Sequence, residues 1–169
     1  MAEIRTDFLL MADGLVGENY REHCRKNCGV DFMNLFPGGW IDQQVFNRYM
    51  EALKEKGTAQ GARIVGTRIV PKLQELFKSF DGIPDVKSTK EFFAKSYQDS
   101  NRGSDAGYFE LAEITDSDAI VITTSKLDPD FHLGVFEGCV RFFKKWVSKA
   151  EIAETIEKNG RYVFKYHFS

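Results

Sequence analysis

The chain has 169 residues, 43% of them hydrophobic, and a formal charge of −2. That size and apolar content suit a single domain, residues 1–169, with a substantial core, and the near-neutral balance argues against the basic field of a nucleic-acid-binding domain. No apolar run approaches the ~20 residues that span a bilayer, no basic-then-apolar leader opens the chain, and three cysteines cannot complete a disulfide framework. A cytoplasmic protein with reduced thiols is therefore expected.

In chain order, residues 4–27 hold one or two helices, interrupted near Gly14 and Gly17. The stretch Phe36-Pro37-Gly38-Gly39-Trp40 is rich in turn formers. Asp42 then starts a helix carrying Ile41, Val45, Tyr49 and Leu53 at four-residue steps, and Gly57 ends it. Over residues 59–80, Ala62, Val65, Ile69, Leu73, Leu76, Phe77 and Phe80 form a helical stripe, but Pro71 lies within it. The expectation is a helix that kinks or restarts near Pro71; the β-branched run Ile64 to Val70 leaves a strand as the alternative. Ser88 and Glu91 have capping-box spacing, and the helix they start would carry Phe93 and Tyr97 on one face.

The period then changes. Gly107 to Ile114 and Ala119 to Ser125 read as strands joined through Thr115-Asp116-Ser117-Asp118. After Asp128-Pro129-Asp130 comes an amphipathic helix in which Leu133, Phe136, Val140, Phe143 and Val147 share a face. A short strand follows, then Asn159-Gly160 as a type I′ turn, then a strand with Tyr162, Phe164, Tyr166 and Phe168 on one side and Val163, Lys165 and His167 on the other. The predicted class is α+β: an N-terminal helical half followed by a roughly four-stranded antiparallel sheet with one intervening helix.

Two sets of residues stand out chemically. His23, Cys24 and Cys28 place two thiols one helical turn apart, a partial ligand set for a soft metal such as zinc; such a pair without a second pair is more often packed free thiols, and a thiol nucleophile is a further option. The aromatic strand and the helix before it offer a ligand-binding set: His132, Phe136, Cys139, Phe143, Trp146, Tyr162, Phe164 and Tyr166. Fifteen phenylalanines form either a dense core or a lined cavity, and a few polar groups converging on an apolar cleft are the usual composition of a small-molecule site.

Three segments carry a family resemblance. Leu35-Phe36-Pro37-Gly38-Gly39-Trp40 leads into a helix; the helix ending at Tyr97 is followed by Asn101-Arg102-Gly103 and an entering strand; and the helix from His132 to Val147, with Gly134, Glu137, Gly138 and Cys139, precedes a hairpin. In these the chain resembles the superfamily of haem nitric-oxide/oxygen-binding domains, TRAPP vesicle-tethering subunits and 4-vinyl reductase-type ligand-binding domains. The resemblance implies a sensory or scaffolding domain, often dimeric, that commonly holds haem, an acyl chain or another hydrophobic ligand between helices and sheet. Haem-binding members take a histidine from the helix just before the sheet. Here Val86 to Ser100 contains none, and Tyr-x-Ser-x-Arg does not occur, so the cofactor stays unassigned and haem held in the family manner is not expected.

The expected function is a non-catalytic sensory or ligand-binding domain for a hydrophobic small molecule, as a homodimer. The alternatives are a TRAPP-like dimeric interaction module without ligand, and a thiol- or metal-dependent sensor or enzyme using His23, Cys24 and Cys28.

Overall fold

Glu3–Arg5 forms a three-residue strand, β1, that runs directly into helix α1, Thr6–Leu15. The computed structural model describes residues 1–169. Gly14 lies inside α1, and the chain breaks only at Val16-Gly17 before α2, Glu18–Asn27. Strand β2, Trp40–Asp42, precedes α3, Gln43–Lys56. Asp42 caps α3 by accepting the Gln44 N–H at 2.8 Å, and Gly57 ends it, as expected. Ile41 is in the strand and not the helix: it pairs with Ile4 of β1.

Helix α4, Gly61–Phe77, passes through Pro71 as one element. Pro71 is exposed on the outer side of the helix. Helix α5, Lys90–Ser100, follows a one-turn 3₁₀ segment, Lys87–Thr89. The capping box does not form: Ser88 lies in that 3₁₀ turn and both its N–H and its hydroxyl bond Asp85. The expected face of α5 does form, with Phe93 and Tyr97 buried.

Strand β3, Asn101–Arg102, joins β1 and β2 in a small antiparallel sheet of order β2-β1-β3 that no sequence pattern announces. The main sheet comprises β4, Phe109–Ile114, β5, Asp118–Thr123, β6, Val147–Glu154, and β7, Tyr162–Phe168, antiparallel in the order β4-β5-β7-β6. Helix α6, Pro129–Phe142, crosses from β5 to β6. Asp128 caps it through the Phe131 N–H at 3.0 Å. It ends before Val147, which belongs to β6, because the chain turns sharply at Lys144 (φ 61°).

The β6–β7 connection also differs from expectation. In place of a two-residue turn, a one-turn helix, α7 (Ile156–Asn159), is closed by Gly160 at φ 70°. Only the glycine adopts the left-handed conformation expected of the pair. The aromatic row of β7 is as read: Tyr162, Phe164, Tyr166 and Phe168 are all buried. On the other side Lys165 and His167 are exposed, but Val163 is buried.

Helix α6 lies between this sheet and α4. Against the sheet, the Phe136 and Tyr166 rings are 4.7 Å apart, and the Tyr166 hydroxyl donates to the Leu133 carbonyl at 3.1 Å. Against α4, the helices meet backbone to backbone at Gly66, Gly134 and Gly138, where any side chain would collide with the opposite main chain. No helix is long and apolar enough to cross a membrane.

Candidate functional site

Where α1 and α4 face α5, β4 and α6, their side chains leave a small chamber of about 60 Å³. Twelve of its sixteen lining residues are hydrophobic, so apolar burial would dominate any binding there. Ile4 and Phe8 form one side, Val70 and Leu73 of α4 another, and Phe93 and Tyr97 of α5 a third. The rings pack on one another: Phe93 to Phe109 at 5.7 Å, Phe93 to Phe136 at 5.6 Å and Phe80 to Phe92 at 4.8 Å. The Tyr97 hydroxyl is occupied, donating to the Ala106 carbonyl at 2.5 Å.

His132 is the exception among these satisfied or apolar groups. Helix α6 carries it into the chamber wall, 5.0 Å from the Phe109 ring. Its Nε2 is buried and has no hydrogen-bond partner. Burial pushes its pKa down to about 4, against a weaker upward pull from Asp128, so the imidazole is neutral at physiological pH. A buried nitrogen without a partner is a group for which a ligand can supply the missing hydrogen bond.

The chamber adjoins a wider vestibule of about 430 Å³. Phe8, Leu73, Phe92, Ser96 and Ser100 line both. The vestibule adds Arg5, Asp7, Lys95 and Asp99, so its outer part is polar. Arg5 and Asp7 are already paired at 2.9 Å.

Of the eight residues expected to bind a ligand, only His132 lines this chamber. Cys139 is buried beside Thr89, and Phe136, Phe164 and Tyr166 are buried in the solid layer between α6 and the sheet. Tyr162 is buried beside them, its hydroxyl 3.4 Å from Glu157. Phe143 is half-buried against Phe80, and Trp146 is exposed beneath the Arg141 guanidinium. The aromatic row is a filled core because α6 lies directly on it. The other fifteen of the sixteen lining residues, Ile4, Phe8, Phe92, Phe109 and Phe131 among them, were not expected there; the face shared by Phe93 and Tyr97 was the available signal.

The structure does not assemble His23, Cys24 and Cys28 into a metal site, and no group of three or more His, Cys, Asp or Glu side chains in the chain is arranged to hold one. Cys24 and Cys28 are buried in the core. Burial pushes the Cys24 thiol up to about 11 and raises that of Cys28, which disfavours the thiolate that a metal ligand or nucleophile needs. His23 sits beside Asn27, which donates to its backbone carbonyl at 2.7 Å.

No family model matches the chain, and no curated protein does. Solved structures do. A Cs H-NOX mutant carrying 4-cyano-L-phenylalanine superposes with a TM-score of 0.73 at 18% identity, over 98% of this chain and 96% of that one. The chain has the H-NOX fold. A T. tengcongensis H-NOX mutant gives 0.69 at 19% identity, covering 96% and 93%. An oxygen-binding H-NOX domain related to soluble guanylate cyclases gives 0.63 at 20%, covering 96% and 91%. Other similar structures concern heme distortion in the H-NOX family.

A haem does not fit the residues present in this H-NOX fold. The inner chamber, at about 60 Å³, has no room for a porphyrin, and the vestibule it opens into is lined by Arg5, Asp7, Lys95 and Asp99 and brings no histidine. Helix α5 presents Phe93 and Tyr97 to it and no imidazole. The one imidazole, His132, comes from α6 and is surrounded by the Tyr97, Phe109, Phe131 and Phe164 rings.

Proposed function

We propose that this H-NOX-fold chain is a non-catalytic sensory domain for a slender, largely apolar small molecule, acyl-like and not haem. Its apolar part would occupy the chamber, with a hydrogen-bonding group meeting His132, and its polar end would lie in the vestibule beside Ser96 and Lys95. The observation that carries this reading is the buried, partnerless Nε2 of His132 in the wall of an otherwise apolar cleft. Apolar contact would supply the affinity and His132 the orientation. The continuity of chamber and vestibule supports a ligand longer than the chamber alone admits.

The test is native mass spectrometry of freshly purified protein against its denatured mass, followed by titration with haem and with a series of short fatty acids that carry or lack a hydroxyl at the far end of the chain, the group that would meet His132. A retained or titratable acyl-type ligand, weakened by Val135→Phe at the chamber wall, is the expected result. Stoichiometric haem uptake with a Soret band that His132→Leu abolishes would overturn it, as would failure of every fatty acid to bind the folded protein.

A further inference from the structure

The α4–α6 crossing has a second side that the cleft does not use. There a groove of about 570 Å³ is lined by Gln60, Arg63, Thr67, Arg68, Glu137 and Arg141, with Ile64 its one apolar residue. Glu137 is buried at its base. One of its carboxylate oxygens accepts Arg63 Nε at 2.8 Å and the other accepts Arg141 Nη2 at 2.5 Å. Each guanidinium has five N–H donors, so both keep donors free after this contact. Arg68, one residue along the wall from Thr67, is exposed and forms no ion pair. Three arginines against one carboxylate leave the groove with two uncompensated positive charges.

We propose that this groove binds a phosphoryl dianion, either free phosphate or the phosphomonoester of a small molecule. The charge matches, and guanidinium forks suit the oxygens of phosphate, which accept paired N–H bonds. Glu137 also holds two of the three side chains in place before any ligand arrives, on a helix pair packed backbone to backbone, so less side-chain freedom is lost on binding. A monocarboxylate would leave one cation unmatched. The Gln60 amide adds a neutral donor at the groove wall.

A reporter lies next to the groove: the Arg141 guanidinium is 5.6 Å from the Trp146 ring centre. In the full chain with Trp40→Phe, Trp146 is the sole tryptophan. Its emission would be followed during titration with inorganic phosphate and, separately, phenyl phosphate at constant ionic strength. Saturation by phosphate assigns the free anion, and saturation by phenyl phosphate alone assigns a phosphomonoester; both support the site. Calorimetry of Arg68→Gln, which removes no structural partner, should show binding about tenfold weaker, the size of one lost charge-assisted hydrogen bond. Lys149→Gln, outside the groove, should leave it unchanged. No saturation with either probe, or equal weakening by Arg68→Gln and Lys149→Gln, would overturn the proposal.

Discussion

Gly138 of α6 faces the carbonyl oxygen of Thr67 in α4, the oxygen that Pro71 deprives of its helical donor. In an α-helix that donor is the N–H four residues on, and proline has none. A β-carbon on Gly138 would overlap the Thr67 oxygen, one on Gly134 the Arg63 oxygen, and one on Gly66 the Phe131 oxygen. The proline and the glycines thus belong to one helix crossing. Since main chain cannot yield as a flexible side chain does, Gly134→Ala or Gly138→Ala should each cost about 3 kcal/mol, the upper part of the usual overpacking range. Gly14→Ala, with nothing within 4 Å of its β-carbon, should instead gain about 0.5–1 kcal/mol by relieving a helical glycine. Urea denaturation of the three variants measures both.

His132 should make stability depend on pH in one window. Its pKa falls from an ordinary 6.5 to about 4 on folding, so the unfolded chain takes up the proton first as pH drops. The contribution of neutral His132 is therefore complete above about pH 6.5, declines between there and pH 4, and is gone below. The loss is about 3 kcal/mol. The difference in unfolding free energy between the natural chain and His132→Leu, measured from pH 7.5 to 4, should narrow or reverse by that amount. A constant difference would mean that His132 is not buried as a neutral ring.

Glu137 and its two arginines should respond unequally to substitution. Its side chain is 6% exposed, whereas Arg63 and Arg141 are 31% and 47% exposed. Glu137→Gln frees two cations that can turn to water, at a cost of about 1–2 kcal/mol. Replacing both arginines with glutamine strands a buried carboxylate, at about 3 kcal/mol or more. Thermal melts of the two variants should rank in that order.

The three cysteines should be silent in the folded protein. All are free and buried, and burial pushes the thiols of Cys24 and Cys139 up to about 11 and about 12. An aromatic disulfide reagent should label none of them at pH 8 on the timescale of a free thiol, and all of them in denaturant. Prompt labelling of Cys24 or Cys28 in the native state would restore a thiol-based role for that pair.

Much of the fold was legible because its signals are local. Asp42 and Gly57 bound α3 by capping chemistry that needs only neighbouring residues, and the alternation of Tyr162, Phe164, Tyr166 and Phe168 identifies a buried strand face. The small sheet was not legible. Its strands are two or three residues long, too short to show a period, and exist because Ile4 pairs with Ile41 and with Asn101. The end of α6 and the α7 turn were misjudged for a related reason: Val147 and Asn159-Gly160 fit a local pattern that the β6–β7 register overrides.

By itself, then, the sequence determined the order of the principal helices and of the four main-sheet strands, the α+β class, most of the buried faces and a resemblance whose haem nitric-oxide-binding branch the H-NOX fold bears out. Only the tertiary structure decided where the interior is solid and where it is open. Periodicity shows that a face is covered but not by what: α6 presses Phe136 onto Tyr166 and closes the expected site, while Ile4, Phe8, Val70, Phe93 and Phe109, from five separate elements, fail to meet completely and leave the chamber. A cavity is a small remainder between side-chain volumes contributed from distant parts of the chain, and no local pattern encodes it.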